Sequence, residues 1–516
     1  MLRKAFCCLI ALAMVSSALA QPKALQARIK IDTDRVIGTI DRHLYGNFTE
    51  HLGRCIYGGI FDPGSRLSDP SGFRRDVLEA VKGLNVTILR WPGGNFVSGY
   101  HWEDGIGPRK KRPQRTDLAW QTPEPNTFGT DEFIDFCRVV GTEPYFSVNL
   151  GTGSLDEARN WVEYCNVKEG PYYAELRKKN GHPDPYRVMY WSLGNEMDGW
   201  WQMGHKNADD YGKFALEAAK LMKWTSPEIR LIAAGSSNFY EGADPHGWNR
   251  IVLDYLKDYI DYIALHLYVG NQDNDYYAFM ASPLQIEERT RIVEGQIKEA
   301  MSKSRRNTPI YVAWDEYNVW YRARGAGFST GRNALEERYN LEDALVIAGF
   351  LNAFVRNAHI VKMANMAQLV NVIAPIFTSK TEMFRQTIYF PLALFANNSL
   401  GTSLDVFVDS PVYDTRQRKA VPYLDVSVAY HDGEVVINVM NRHLTDGIRT
   451  EIISQNGAFI GPFSVYAVNG PDVKTENTFG RELVRSIQKP NVDVSGNSFF
   501  YEFPPHSFVM IKGKVK

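Results

Sequence analysis

Strand-like apolar runs alternate eight times with amphipathic helix signals between residues 41 and 390, and a tail of alternating strands without helix signals follows. Together they predict an α/β fold, a (β/α)8 TIM barrel with a C-terminal all-β sandwich domain. The runs are apolar almost throughout, as parallel strands buried on both faces require. An open doubly wound sheet would carry a glycine-rich nucleotide turn after its first strand, and none is present.

The elements follow in order. "QARIKIDTD" is a strand in a segment, residues 21–40, that joins the sandwich. "HLYGNFTEH" supplies the first barrel strand. "VTILRWPGG" is the second, behind the helix "SGFRRDVLEAVKGL", whose Phe73, Val77, Leu78 and Val81 share a face. "EPYFSVNLGT" is the third, behind "DEFIDFCRVV". Ser154 and Glu157 form a capping box that opens the next helix. "VMYWSLGNE" is the fourth, "RLIAAGSSN" the fifth, behind a Phe214, Ala218, Leu221 face, and "YIALHLYVGN" the sixth. "IYVAWDEYN" is the seventh, behind a helix from Ile286 to Met301, and "IVKMANMAQLVN" the eighth, behind "LEDALVIAGFLNAFVRN". The barrel therefore occupies residues 41–390. From about Pro391 helix signals disappear, and "LDVSVAYHDGEVVINVMNR" is a hairpin around Asp432-Gly433. Residues 391–516 form the sandwich.

The chain has 44% hydrophobic and 23% charged residues, the proportions of a soluble globular protein. Its 13% aromatic content suits both a large core and sugar binding. A formal net charge of −1 argues against a nucleic-acid partner, and the basic run "PRKKRPQR" reads as a solvated loop. Residues 1–20 read as a secretory signal peptide: Arg3 and Lys4, the apolar "AFCCLIALAMV", then Ala18-Leu19-Ala20. This implies an exported protein, periplasmic or extracellular. The apolar run is too short for a membrane span, and Phe6 before Cys7 argues against a lipid anchor. Of five cysteines, Cys55, Cys137 and Cys165 lie beyond the leader; their number and spacing give no disulfide framework. No CxxC or HExxH pattern suggests a metal, and no cofactor is expected.

In a barrel of this kind the chemistry sits at the carboxyl ends of the strands. Those ends carry Asn47, Glu50 and His51; Arg90 and Asn95; Asn149; Asn195 and Glu196; His266 and Tyr268; Asp315 and Glu316; and Gln368 and Asn371. Singly, each has a structural reading. Glu50 can cap a loop, Asn95 can hold the Pro-Gly-Gly turn, Tyr268 can be core, His266 can support, and Gln368 can satisfy backbone groups. Jointly they place carboxylates, amides and aromatics at one mouth. Glu196 and Glu316, on strands four and seven, face each other across it. Two carboxylates without a metal point to glycoside hydrolysis, one protonated to assist the leaving oxygen and one ionised to attack the anomeric carbon. Asn195, beside Glu196, is placed to hold a sugar hydroxyl.

The stretches "GNFTEHLGRCIYGGIFDP", "LRWPGGNFVSGYHWEDGIGP", "YWSLGNEMDG", "LHLYVGN", "AWDEYNVWY" and "AQLVNVIAPIFT" resemble glycoside hydrolase family 51, the α-L-arabinofuranosidases, over nearly the whole mature chain. The resemblance implies Glu196 as acid/base and Glu316 as nucleophile. It implies Glu50, Asn95, Asn195, Tyr268 and Gln368 as furanose-binding groups, Arg90 and His266 as residues that orient the nucleophile, and Trp102 as an aromatic lining the site. It further implies a retaining, exo-acting enzyme that releases terminal arabinofuranose from arabinan, arabinoxylan or their oligosaccharides. Family members often assemble, so a homo-oligomer is possible. Two alternatives stand beside this reading. An endo-glucanase or xylanase of the same family would cleave only internal bonds. A silent carbohydrate-binding protein would have no need of two reactive carboxylates.

Overall fold

The computed structural model describes residues 25–516; the expected leader, residues 1–20, lies outside them. Eight parallel strands close into a barrel: β1 (Gly46–Phe48), β2 (Ile88–Trp91), β3 (Glu143–Val148), β4 (Tyr190–Leu193), β5 (Arg230–Ala233), β6 (Tyr262–Val269), β7 (Tyr311–Val319) and β8 (Val361–Ala367). A helix follows each strand: α1 (Arg75–Leu84), α2 (Thr130–Val140), α3 (Leu155–Asn166), α4 (Ala208–Thr225), α5 (Pro245–Leu256), α6 (Leu284–Met301), α7 (Leu341–Arg356) and α8 (Tyr389–Asn398). The Ser154 cap is in place, its hydroxyl accepting from Glu157 N at 3.1 Å.

The barrel interior is layered by the two-residue period of its strands. Ile88, Tyr145, Ile232, Tyr262, Ala264, Ala313 and Met363 pack as an apolar plug. Two residues further along their strands come Arg90, Ser147, His266, Asp315 and Asn365, all buried. The step from plug to polar layer sets the floor of the site.

Residues 25–40 contribute two strands to the C-terminal sheets. Gln26–Ile31 runs parallel to Ile448–Ser454 in a four-stranded sheet. Val36–Ile40 pairs antiparallel with Gly401–Leu404 at the edge of the larger sheet. Apolar side chains from both sheets, among them Ile29, Val428, Ile437, Ile452, Phe463 and Val509, form one core. The expected hairpin joins Leu424–His431 to Glu434–Asn441, with Asp432 and Gly433 at φ of 49° and 77°, the left-handed pair such a two-residue turn needs.

Two expectations are corrected. Helix structure does not end near residue 391: α8 runs to Asn398, through the expected boundary at 390/391. It is apolar nearly all round, so it carries no amphipathic period to read. The basic run is not simply solvated. Lys110 and Lys111 are exposed, but the Arg112 side chain is only 3% exposed and donates to Glu132, Gly107 O and Asn126 O.

Candidate active site

The turn after β4 explains how one strand end presents a carboxylate. Gly194 has φ of 84°, and a Cβ there would meet Met197 at 3.1 Å and Leu150 at 3.2 Å. Glu196 follows at φ of 43°, a left-handed conformation that costs a residue with a side chain free energy. This strained turn aims Glu196 inward. Its Oε1 lies 2.9 Å from His266 Nδ1, and its Oε2 accepts from Trp201 Nε1.

Asp315 and Glu316 are consecutive, yet both face the interior. The register explains this: Ala264 pairs with Ala313 but His266 with Glu316, so β7 carries one extra residue. That bulge lets neighbours share a face. Glu316 accepts from Arg90 Nη1 at 2.9 Å and from Tyr268 Oη at 2.7 Å. Asp315 accepts from Tyr145 Oη at 2.7 Å and faces His266 Nε2 at 3.1 Å. Arg90, 1% exposed, also donates to Asn195 Oδ1 and to Ser147 Oγ. His266 and Tyr268 share a face because they are two apart on β6.

One oxygen each of Glu196 and Glu316 and a nitrogen of His266 lie within 4.8 Å of one another. Charge is divided among them by environment. Burial, then the charge of Glu316, holds the Glu196 carboxyl above the usual carboxylate range, against the hydrogen bonds from His266 and Trp201. Burial also disfavours the charged forms of Asp315 and His266, but their partners outweigh it. Arg90 and His266 hold Asp315 low. The charge of Glu316 and the bonds to Asp315 and Glu196 push His266 up to about 10. Raised in this way, His266 favours the imidazolium, with Nδ1 facing Glu196 and Nε2 facing Asp315.

Glu50 forms the opposite wall. Its Oε1 accepts from Phe96 N at 2.9 Å and Trp120 Nε1 at 3.0 Å, and its Oε2 from Gln368 Nε2 at 2.9 Å. Gln368 Oε1 is buried without a partner among the described residues. Gly93 and Gly94 pass so close to Glu50 that a Cβ on Gly94 would sit 2.7 Å from its oxygen. Asn95 follows them, half-buried, its amide unpartnered among the described hydrogen bonds.

The structure thus brings together Glu196, Glu316, Arg90, His266, Tyr268 and Asn195, with Glu50 and Gln368 beside them. It does not bring in Trp102. That ring is 1% exposed, lies parallel to Trp161 at 5.9 Å, and donates to Glu157 O. It is packed against α3 because its indole is fully buried there, so the expectation that it lines the site is corrected. Trp120, Trp201 and Trp320 do line it, and sequence reasoning missed them. Trp201 had a signal, five residues after Glu196; Trp120 sits in a long β2–α2 connection that no strand period reaches. Asn149 and Asn371 at strand ends serve loops instead, Asn149 accepting from Gly151 N and Thr152 N, and Asn371 from Thr378 N.

Comparison with known proteins agrees with this geometry. The family model for the α-L-arabinofuranosidase 1 domain matches residues 80–283, and that for the α-L-arabinofuranosidase C-terminal domain matches residues 315–507. The intracellular exo-α-(1→5)-L-arabinofuranosidase 1 of Bacillus subtilis (strain 168) is 41% identical over 497 residues, covering 95% of this chain and 99% of the relative. The crystal structure of an α-L-arabinofuranosidase from Thermotoga maritima in complex with arabinose superposes with a TM-score of 0.86 at 41% identity, over 95% of this chain and all of that one. The family 51 α-L-arabinofuranosidase of Thermotoga petrophila RKU-1 gives 0.86 at 42% over the same shares. The expectation of export, periplasmic or extracellular, is overturned here: the Bacillus relative and two others of similar identity are intracellular by name. No helix among the described residues is long and apolar enough to cross a membrane. With paired carboxylates on strands four and seven, and these matches extending over both barrel and sandwich, the chain belongs to the α-L-arabinofuranosidases of glycoside hydrolase family 51.

Proposed function

We propose that this enzyme releases terminal arabinofuranose from arabinan, arabinoxylan or their oligosaccharides, acting from the chain end and with retention of configuration. The observation that supports the retaining mechanism is that one oxygen of Glu196 and one of Glu316 lie within 4.8 Å of each other. Direct attack needs carboxyls about 5–5.5 Å apart, whereas an intervening water needs about 6.5–9.5 Å. The relatives named for exo-α-(1→5) cleavage support arabinan-derived oligosaccharides as substrates.

Glu316, held by Arg90 and Tyr268, attacks the anomeric carbon. Glu196, whose carboxyl burial and the charge of Glu316 hold above the usual carboxylate range, gives its proton to the glycosidic oxygen, and the leaving group departs as an alcohol. Glu196, now ionised, takes a proton from water, whose oxygen displaces Glu316. Asn195, Asn95, Glu50, Tyr268 and Gln368 hold the furanose hydroxyls. The unpartnered Gln368 Oε1 supports that role. His266 and Arg90 position the two carboxylates.

The test compares Glu196→Ala and Glu316→Ala on an arabino-oligosaccharide and on a dinitrophenyl arabinofuranoside. Glu196→Ala is expected to lose about 10²–10⁴-fold on the oligosaccharide and far less on the aryl substrate, whose phenolate leaves without a proton. Azide should restore its turnover and give the α-azide, because it attacks an already inverted intermediate. Glu316→Ala should be slow on both substrates and give the β-azide by single displacement. The reverse pattern would exchange the two roles.

A further inference from the structure

The Glu196 side of the mouth carries an aromatic arc that the barrel core does not require. Trp201, the indole donor to Glu196, meets two further rings edge-on, Trp200 and Tyr240, each at 5.7 Å. Trp200 is 72% exposed and Tyr240 51%. A single exposed aromatic needs no explanation. Two that both contact Trp201, the tryptophan bonded to Glu196, form a surface of defined place. Tyr240 is also fixed in orientation. Arg324 donates to its hydroxyl at 2.6 Å, and the same guanidinium stacks on Trp320 at 4.6 Å. That clasp ties the β5–α5 connection to the β7–α7 connection across the rim of the site.

A general acid must sit beside the glycosidic oxygen, so the leaving group lies on the side of Glu196. Aromatic faces offer a sugar's C–H surface a large apolar contact at little entropic cost, and polar tips bond its hydroxyls. We infer that Trp200 and Tyr240 form a sugar-binding position for the leaving group, occupied by the arabinofuranose unit next to the scissile bond in an arabino-oligosaccharide. This rests on the arabinofuranosidase reading above, with Glu196 as acid/base. The two side chains then decide preference among leaving groups rather than the rate of bond cleavage.

The test measures kcat and KM of Trp200→Ala, Tyr240→Ala, Trp200→Phe and Tyr240→Phe on α-1,5-arabinotriose and on methyl α-L-arabinofuranoside, whose leaving group is methanol. The alanine variants should lose about three- to ten-fold more kcat/KM on the triose than on the methyl glycoside, mainly through KM. The phenylalanine variants, which keep a ring, should recover most of that difference. Both side chains are exposed, so thermal denaturation is expected to match the parent enzyme. Equal losses on the two substrates, or none on either, would overturn the site. A parent enzyme that releases arabinose from neither would instead overturn the arabinofuranosidase reading.

Discussion

Glu50 is the fourth carboxyl of the site beside Glu196, Glu316 and Asp315, and its surroundings set it apart from the others. Burial pushes it up to about 8, against the N–H bonds from Phe96 and Trp120 and with help from the charges of Glu316 and Asp117. The folded state therefore holds this proton more tightly than the unfolded chain does. The resulting stabilisation is complete below the unfolded carboxyl pKa and is lost as pH rises toward about 8. Glu50→Gln, which cannot ionise, should gain stability over the parent enzyme at pH about 9, on the order of a few kcal/mol, and show little gain at pH about 5. Thermal denaturation at the two pH values checks this. Gln368 can turn its unpartnered Oε1 toward the new amide. The two tryptophans separate in the same way. Trp120→Phe removes the indole donor to Glu50 and should lower kcat/KM by about two- to ten-fold, the value of one hydrogen bond. Trp102→Ala empties a buried slot and should cost about 3–5 kcal/mol of stability, read from denaturant unfolding. A loss of activity in folded Trp102→Ala larger than in Trp120→Phe would reverse the corrected placement.

At the scale of elements, two departures from regularity build the site: the left-handed turn after β4 and the bulge in β7. Gly194→Ala tests the first. Its φ of 84° strains any residue with a Cβ, and a methyl group would press on Met197 and Leu150 at 3.1–3.2 Å, so stability should fall by about 1 kcal/mol or more. Because the same turn aims Glu196, kcat on oligosaccharides should fall with it, and circular dichroism with a thermal melt separates the two effects. The helices show how far a sequence period reaches. In α4 the buried residues are Tyr211, Ala215, Ala218, Ala219 and Met222, while Phe214 and Leu221 are half-buried. The face is rotated from the expected one because small alanines, not the largest apolar side chains, permit close packing on α3 and α5.

Barrel and sandwich are joined through α7, buried along almost its whole length. A buried charge network crosses the joint. Asp425 on the sandwich strand accepts from Arg356 of α7 and from Arg442, which also donates to Met280 O. Burial alone would raise the Asp425 carboxyl, but Arg356 and Arg442 outweigh it and hold it below the usual range. Its stabilisation is therefore present above the unfolded carboxylate pKa of about 3.9 and is lost as pH falls through the lower folded value. Asp425→Ala should cost about 3–5 kcal/mol at neutral pH because it leaves the buried Arg442 guanidinium without its carboxylate partner, while Arg356 keeps Glu287. The difference from the parent protein should shrink under strongly acid conditions, as unfolding curves across pH would show.

The sequence by itself determined the barrel. Its strands are buried on both faces and read as apolar runs, its helices alternate with them, and strand ends are where polar residues such as Glu196 and Glu316 can stand without breaking a core. The hairpin at Asp432-Gly433 and the cap at Ser154 were legible for the same reason: the interaction is local, within a few residues. What only the tertiary structure decided is non-local. Trp120 reaches Glu50 from 70 residues away, Trp102 turns into the α3 packing, and α8 closes the barrel without an amphipathic stripe to announce it. The extra residue that turns both Asp315 and Glu316 inward appears only in the register with β6. The state of charge at the site is likewise a tertiary property. Burial and the placement of Arg90, His266 and Glu316 around one another hold the Glu196 carboxyl above its usual range and push His266 up, because desolvation and facing charges act through space and not along the chain.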